Sequence, residues 1–168
     1  VMYSAEEIKA KVKELAKQIE KDYAGEELLV VGILKGASVF CADLIREIDL
    51  DVRMDFMVVS SYGNETSSSG TVKIIKDLDV DIENKNVLIV EDIIDSGLTL
   101  SSLVAALETR KPKSLKLCTL LDKPERRTAD IKVDYVGYVI EDKFIVGYGI
   151  DFAEKYRNLP YIGIVEDI

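Results

Sequence analysis

Glu91, Asp92 and Asp95 stand at the end of an apolar run, in the stretch VLIVEDIIDSGLTLSSLVAAL (Val87–Leu107). A small polar loop, Ser96-Gly97-Leu98-Thr99, follows them, and then a helical apolar pattern begins. A strand, loop and helix in that order present backbone N–H groups and a helix N-terminus to an anion, with the Ser96 and Thr99 hydroxyls as further donors. Gly97 lets the backbone approach a ligand closely. Like charges repel, so three neighbouring acids make chemical sense where they hold hydroxyls or a magnesium-bound ligand. The chain has no histidine. Ser-His and Cys-His catalysis are thereby excluded, and a general base must be a carboxylate, Lys, Tyr or Cys. The loop is not of the Walker A type, because no G-x-x-x-x-G-K-[ST] occurs. Taken alone, an Asp-Ser-Gly turn also fits a plain helix start with Asp95 or Ser96 as N-cap.

The elements that must carry these residues follow from the apolar periodicity. Ser4–Ile19 reads as a helix, with a Ser4/Glu7 capping box and Ile8, Val12, Leu15, Ala16 and Ile19 on one face. Glu27–Leu34 reads as a buried strand, Val39–Ile48 as a short helix, and Val52–Tyr62 and Thr71–Leu78 as strands. Val87–Glu91 has the continuous apolar pattern of a central parallel strand. Thr99–Arg110 is an amphipathic helix with Leu100, Leu103, Val104 and Leu107 on one face. Ser114–Lys123, Val133–Ile140 and Phe144–Ile150 are strand-like, Ala153–Leu159 suggests a helical turn before Pro160, and Tyr161–Glu166 ends the pattern. Alternating strands and helices imply one α/β domain over residues 1–168 with a mainly parallel sheet. The polar loop Gly63–Gly70, flanked closely by strands, reads as a lid within that domain.

Composition narrows the function further. Of the 168 residues 48% are hydrophobic, enough for a core, and the net charge is -9, from 22 basic and 31 acidic residues. That balance argues against nucleic acid or a membrane surface as partner. No segment reads as a secretion signal, and no apolar run approaches the roughly 18 residues of a membrane span. Cys41 and Cys118 lack C-x-x-C spacing and are expected to be buried free thiols in a reducing compartment, the cytoplasm.

The motif VLIVEDIIDSGLT resembles the phosphoribosyl-pyrophosphate motif of type I phosphoribosyltransferases, and its E-D-I-I-D-[ST]-G-x-T form resembles the hypoxanthine(-guanine) branch of purine salvage. GILKGA, MDFMVVSSYGN, LLDKPERR, DKFIVGYGID and EKYRNLPYIG have counterparts in that family in the same order, and SSYGNETSSSG resembles its bacterial members. The resemblance implies a parallel sheet flanked by helices, a small hood built from the N-terminal and C-terminal segments, and a mobile lid over about 62–71 with Ser61 and Tyr62 reaching inward. It implies that Asp95, Ser96, Gly97, Leu98 and Thr99 hold a 5-phosphate, that Glu91 and Asp92 meet ribose hydroxyls and magnesium, and that Asp95 is the general base or acid near N7 of the purine. Lys35 and Gly36, next to a non-proline cis peptide, and Arg157 would bind pyrophosphate. Lys123 would donate to the purine 6-oxo group, Phe144 would stack on the base, and the Ile145 backbone would bond its edge. Asp151 would be a second magnesium contact. Without the resemblance, Lys35–Gly36 is a turn, Lys123 a surface lysine, Phe144 a core residue and Arg157 a solvated helix-end residue.

The implied activity is magnesium-dependent transfer of phosphoribose from phosphoribosyl pyrophosphate to hypoxanthine, and to guanine, by a homodimer or homotetramer. Two alternatives stay open: a non-catalytic sensor of phosphoribosyl pyrophosphate on the same fold, and transfer to xanthine or uracil. Asp95, Lys123 and Asp151 are all in place for catalysis, and Lys123 with Phe144 favours a 6-oxopurine.

Overall fold

A computed structural model describes residues 1–61 and 72–166 of the chain. The lid expected over 62–71, Tyr62 included, lies outside the described residues, as does the side chain of Ser61. The elements run α1 (Ala5–Asp22), β1 (Glu27–Ile33), α2 (Ser38–Glu47), β2 (Asp51–Ser61), β3 (Val72–Lys76), β4 (Asn86–Ile94), α3 (Leu98–Glu108), β5 (Ser114–Asp122), β6 (Tyr135–Val139), β7 (Ile145–Val146) and β8 (Gly163–Ile164). A 3-10 turn, Pro124–Arg126, follows β5.

Among the described residues six strands form one sheet in the order β3-β2-β1-β4-β5-β6. All neighbours are parallel except β3, which runs antiparallel to β2 at the edge. β4 is central and buried from Asn86 to Val90, as its unbroken apolar run requires. Its side chains alternate between two cores. Leu88 and Val90 pack with the apolar faces of α1 and α2, and Val87 and Ile89 pack with Leu100, Leu103 and Leu107 of α3. The α1 start forms as expected, with reciprocal bonds between Ser4 and Glu7. Both cysteines are buried and free. Among the described residues no helix is long and apolar enough to cross a membrane. At the other end of the chain β7 and β8 form a separate antiparallel ribbon, and Met2 and Tyr3 donate their N–H groups to Ile162 O at 2.8 and 3.1 Å.

Three local expectations need correction. β4 does not stop at Glu91 but runs to Ile94, so two of the acids lie on the strand itself. Phe144–Ile150 is extended only at Ile145–Val146, because Gly147, Tyr148 and Gly149 take φ values of 104°, 50° and 95°. Ala153–Leu159 is not helical. Ala153, Glu154 and Tyr156 lie at positive φ, and the Glu154 N–H donates to the Asp151 carboxylate at 2.9 Å, a local bond that competes with a helix.

Candidate active site

The carboxyl ends of parallel strands are where ligands collect in open α/β sheets, and here β4 delivers Glu91 and Asp92 to that edge between β1 and β5. Burial, then the nearby charge of Asp92, pushes the Glu91 carboxyl well above the usual carboxylate range. Burial raises Asp92 as well, against the opposing pull of the Ile93 N–H, which donates to it at 2.8 Å, of Glu91, and of the Arg157 charge. Asp92 also fixes what stands across from it. A Cβ on Gly36 would lie 2.0 Å from Asp92 Oδ2, so only glycine lets the β1–α2 turn close over this carboxylate.

Beyond β4 the chain turns at Asp95–Gly97 into α3. Neither Asp95 nor Ser96 is the helix cap; Gly97 is, at φ 79°, a left-handed conformation that glycine adopts without strain. Gly97 brings no side chain to the first turn of α3, while Ser96 Oγ accepts the Leu98 N–H at 3.3 Å. Residues Glu91 and Asp95–Thr99 thus surround a cleft of about 180 Å³, with the helix N-terminus at its wall.

On the other side of Asp95 stands Lys123, only 8% exposed although it is a lysine. Its Nζ lies 3.7 Å from Asp95 Oδ1 and 3.6 Å from Asp142 Oδ1, and its backbone N–H donates to Ile94 O at 3.0 Å. Phe144 follows shortly after Asp142. It is 48% exposed and meets Phe152 edge to face at 5.3 Å, so its ring is a platform at the surface and not a core residue. Ile145 is buried in the β7–β8 ribbon.

The third group gathers where the 147–157 segment folds back on the β1–α2 turn. The Leu34–Lys35 peptide is cis, as expected. Lys35 Nζ donates to Glu154 at 3.0 Å, and Arg157 donates to Glu154 at 3.1 Å and to Gly149 O at 2.7 Å, with Asp151 3.6 Å away. Lys35, Gly36, Arg157 and Asp151 are therefore neighbours. Hydrogen bonds from Lys35 and Arg157 hold the Glu154 carboxyl below its usual range. Among the described residues no three Asp, Glu, Cys or His side chains come close enough to form a metal cluster, so Glu91, Asp92 and Asp151 do not converge on one point.

Three contributors escaped the sequence reading: Glu154 between two cations, Asp142 beside Lys123, and Arg127, which donates to Asp95 O at 3.1 Å and to the Asp122 carboxylate. Each is an ordinary charged residue until the fold supplies its partner. A larger cleft, about 670 Å³, lies between α1, α2 and residues 157–160, and lacks both the acids of β4 and the loop.

An acid pair, a loop leading into a helix N-terminus and a cation pair thus gather around one strand end. Residues 2–153 match the family model described as the phosphoribosyl transferase domain. The hypoxanthine-guanine phosphoribosyltransferase of Bacillus subtilis (strain 168) is 59% identical over 166 residues, 99% of this chain and 92% of that protein. The hypoxanthine phosphoribosyltransferase of Salmonella typhimurium is 54% identical, over 98% of this chain and 94% of that one. A crystal structure of a Bacillus anthracis hypoxanthine-guanine phosphoribosyltransferase superposes with a TM-score of 0.94 at 61% identity, covering 97% of this chain and 96% of that one. A Staphylococcus aureus hypoxanthine phosphoribosyltransferase gives 0.96 at 54%, over 99% and 90%. The chain belongs to the hypoxanthine-guanine phosphoribosyltransferase family, and its sheet and flanking helices are the type I phosphoribosyltransferase fold.

Proposed function

We propose that this chain transfers the phosphoribosyl group of phosphoribosyl pyrophosphate to hypoxanthine and guanine and releases pyrophosphate. The observation that carries this reading is the placement of Lys123 3.7 Å from Asp95, the residue that opens the loop before α3. A 5-phosphate on the Asp95–Thr99 amides and a base against Lys123 would bring the sugar carbon and the purine nitrogen together beside one carboxylate.

The remaining roles follow from chemistry. Glu91 and Asp92 accept from ribose hydroxyls. Lys35, the Gly36 backbone and Arg157 hold the departing pyrophosphate, for which Glu154 must give up its bonds to both cations. Lys123 donates to the 6-oxo group, Phe144 offers its exposed face for stacking, and the Ile145 backbone meets the purine edge. Asp95 takes the proton that the base must lose, and its charge supports the cationic sugar.

Magnesium suits this donor set. Two crowded, half-buried acids gain from a cation between them, and magnesium commonly takes one or two carboxylates and completes its shell with substrate oxygens and water. Glu91 and Asp92 would hold magnesium on the ribose side, with Asp151 as a separate, second magnesium contact on the pyrophosphate side, and the metal would offset the charge of the leaving group. The buried free thiols support a reducing compartment, the cytoplasm. Homodimer and homotetramer, the assemblies expected of the family, separate on size-exclusion chromatography.

A substrate panel tests the reading: protein, magnesium and phosphoribosyl pyrophosphate with hypoxanthine, guanine, xanthine, adenine and uracil in turn. Turnover of hypoxanthine and guanine, with adenine rejected, is the expected result. Turnover of uracil or xanthine alone would transfer the assignment to that base. Binding of phosphoribosyl pyrophosphate without turnover of any base would make the chain a sensor.

A further inference from the structure

Arg127 does not line the cleft around the loop, yet it reaches the loop from behind. Its Nε donates to the Asp95 carbonyl at 3.1 Å, and its terminal nitrogen donates to the carboxylate of Asp122, the last residue of β5. Its Cδ rests against Gly97, where a Cβ would come within 3.2 Å. The next two residues complete the grip: the N–H groups of Thr128 and Ala129 both donate to the Ser96 carbonyl, at 3.0 and 3.1 Å. Two successive loop carbonyls are thus taken from outside by one segment.

A trans peptide is planar, with its C=O and N–H pointing in opposite directions. Holding the Asp95 carbonyl outward turns the Ser96 N–H inward, and holding the Ser96 carbonyl outward turns the Gly97 N–H inward. These are amides that an anion in the cleft would use. The Arg127 and Asp122 side chains are 19% and 12% exposed, so water screens their pairing little. Asp122 immediately precedes Lys123, and its own carbonyl accepts from the Ile140 N–H at 2.9 Å. One guanidinium therefore links the loop to the strand end that presents Lys123. A lysine could not replace it, because a single ammonium cannot span two acceptors in the fixed fork that arginine offers.

We infer that Arg127, anchored by Asp122, is a positioning residue that aims the loop amides at the 5-phosphate and ties the loop to Lys123; the inference rests on the proposed transfer reaction. Binding energy at a remote phosphate is used to place the reacting centre, and misplacement of about 1 Å costs roughly 10²-fold in rate.

The test uses Arg127→Met, Arg127→Lys, Asp122→Asn and the Asp122→Asn/Arg127→Met double variant, with steady-state kinetics, thermal melting and calorimetric binding of ribose 5-phosphate. Arg127→Met is expected to lower kcat/KM for phosphoribosyl pyrophosphate about 10²-fold, with a much smaller change in KM for hypoxanthine. It should weaken ribose 5-phosphate binding by about tenfold, because the loop amides lose their aim. Arg127→Lys should recover only part of this, and the double variant should be no worse than Arg127→Met, because the two side chains act as one unit. If Arg127→Met does not fold, Arg127→Lys and Asp122→Asn carry the same comparison. A lower melting temperature with wild-type KM and wild-type ribose 5-phosphate affinity would overturn the inference and leave Arg127 a purely structural brace. Wild-type turnover in the same assay judges the transfer reading separately, and the ribose 5-phosphate comparison stands without turnover.

Discussion

At the amino end of β1, β4 and β5, Asn86 Nδ2 donates to Glu27 O at 3.3 Å, Ser114 Oγ donates to Asn86 Oδ1 at 2.7 Å, and Lys113 Nζ meets Glu26 at 2.8 Å. The hydrogen bond and charge of Lys113 hold the Glu26 carboxyl below its usual range. At the carboxyl end of the same strands burial pushes two acids up, the nearby Asp92 charge raises Glu91 further, a glycine takes a left-handed turn, and Lys123 sits 3.6–3.7 Å from two carboxylates without a hydrogen bond to either. These groups at the amino end satisfy one another, with the neighbouring buried Tyr23 hydroxyl as the exception. Those at the carboxyl end are left with capacity, and some of them oppose one another. Local conflict of this kind is what a binding site costs a fold.

Substitutions at the two ends should accordingly separate activity from stability. The largest effect is expected at Asp95. Asp95→Asn keeps the loop shape but removes charge and basicity, and kcat should fall by roughly 10²–10⁴-fold, while melting temperature and affinity for phosphoribosyl pyrophosphate change little. A near-normal kcat in stopped or continuous assays would remove Asp95 from the chemistry. Lys123→Ala comes next. Loss of a charged donor to the 6-oxo group, worth roughly 1.5–3 kcal/mol, should lower kcat/KM for both hypoxanthine and guanine by about 10- to 100-fold. Unchanged efficiency with both bases would place the selecting group elsewhere.

At the amino end the pattern should invert. Asn86 is 8% exposed, and Asn86→Ala strands the Ser114 hydroxyl and Glu27 carbonyl; denaturant titration should show a loss of about 1–2 kcal/mol, with kinetic constants unaltered. The smallest effect belongs to Glu26→Gln. Glu26 has a lowered folded-state pKa, so its contribution is present above the unfolded value of 4.5 and is lost as pH falls through the folded value. Wild type and variant should differ slightly in melting temperature at pH 7 and converge as the pH falls through the lowered folded value. A difference that instead grows toward low pH would mean that the Lys113 pair is not its source.

The parts of the site that were legible beforehand are contiguous. Glu91 to Thr99 form one strand–loop–helix unit, and short-range pattern suffices to place its acids and its turn. The buried alternation of β4 and the Ser4/Glu7 box are equally local. What stayed hidden joins distant segments: Lys35 with Glu154 across 119 positions, Arg127 with Asp95 across 32. No periodicity marks such partners. The failed helix at Ala153–Leu159 has a related cause, since the Asp151 carboxylate takes the Glu154 N–H and turns an otherwise helix-compatible composition into a chain of left-handed bends. Gly97 in place of Asp95 or Ser96 as the cap of α3 is the same lesson in reverse: the cap position itself carries no side chain, and Ser96 reaches the Leu98 N–H from one residue earlier.

The most direct measurement compares the metal-free wild type with Glu91→Gln/Asp92→Asn at pH 7, by thermal melting and by calorimetric titration with magnesium phosphoribosyl pyrophosphate. If the acids of β4 conflict for the sake of the ligand, neutralising them should raise the melting temperature by about 2–4 °C, equivalent to roughly 1 kcal/mol, and weaken ligand binding by at least about tenfold, a loss of some 1.4 kcal/mol. A variant that melts lower and still binds the ligand with wild-type affinity would show that the pair serves the fold, and would contradict the division of labour between the two ends of the sheet.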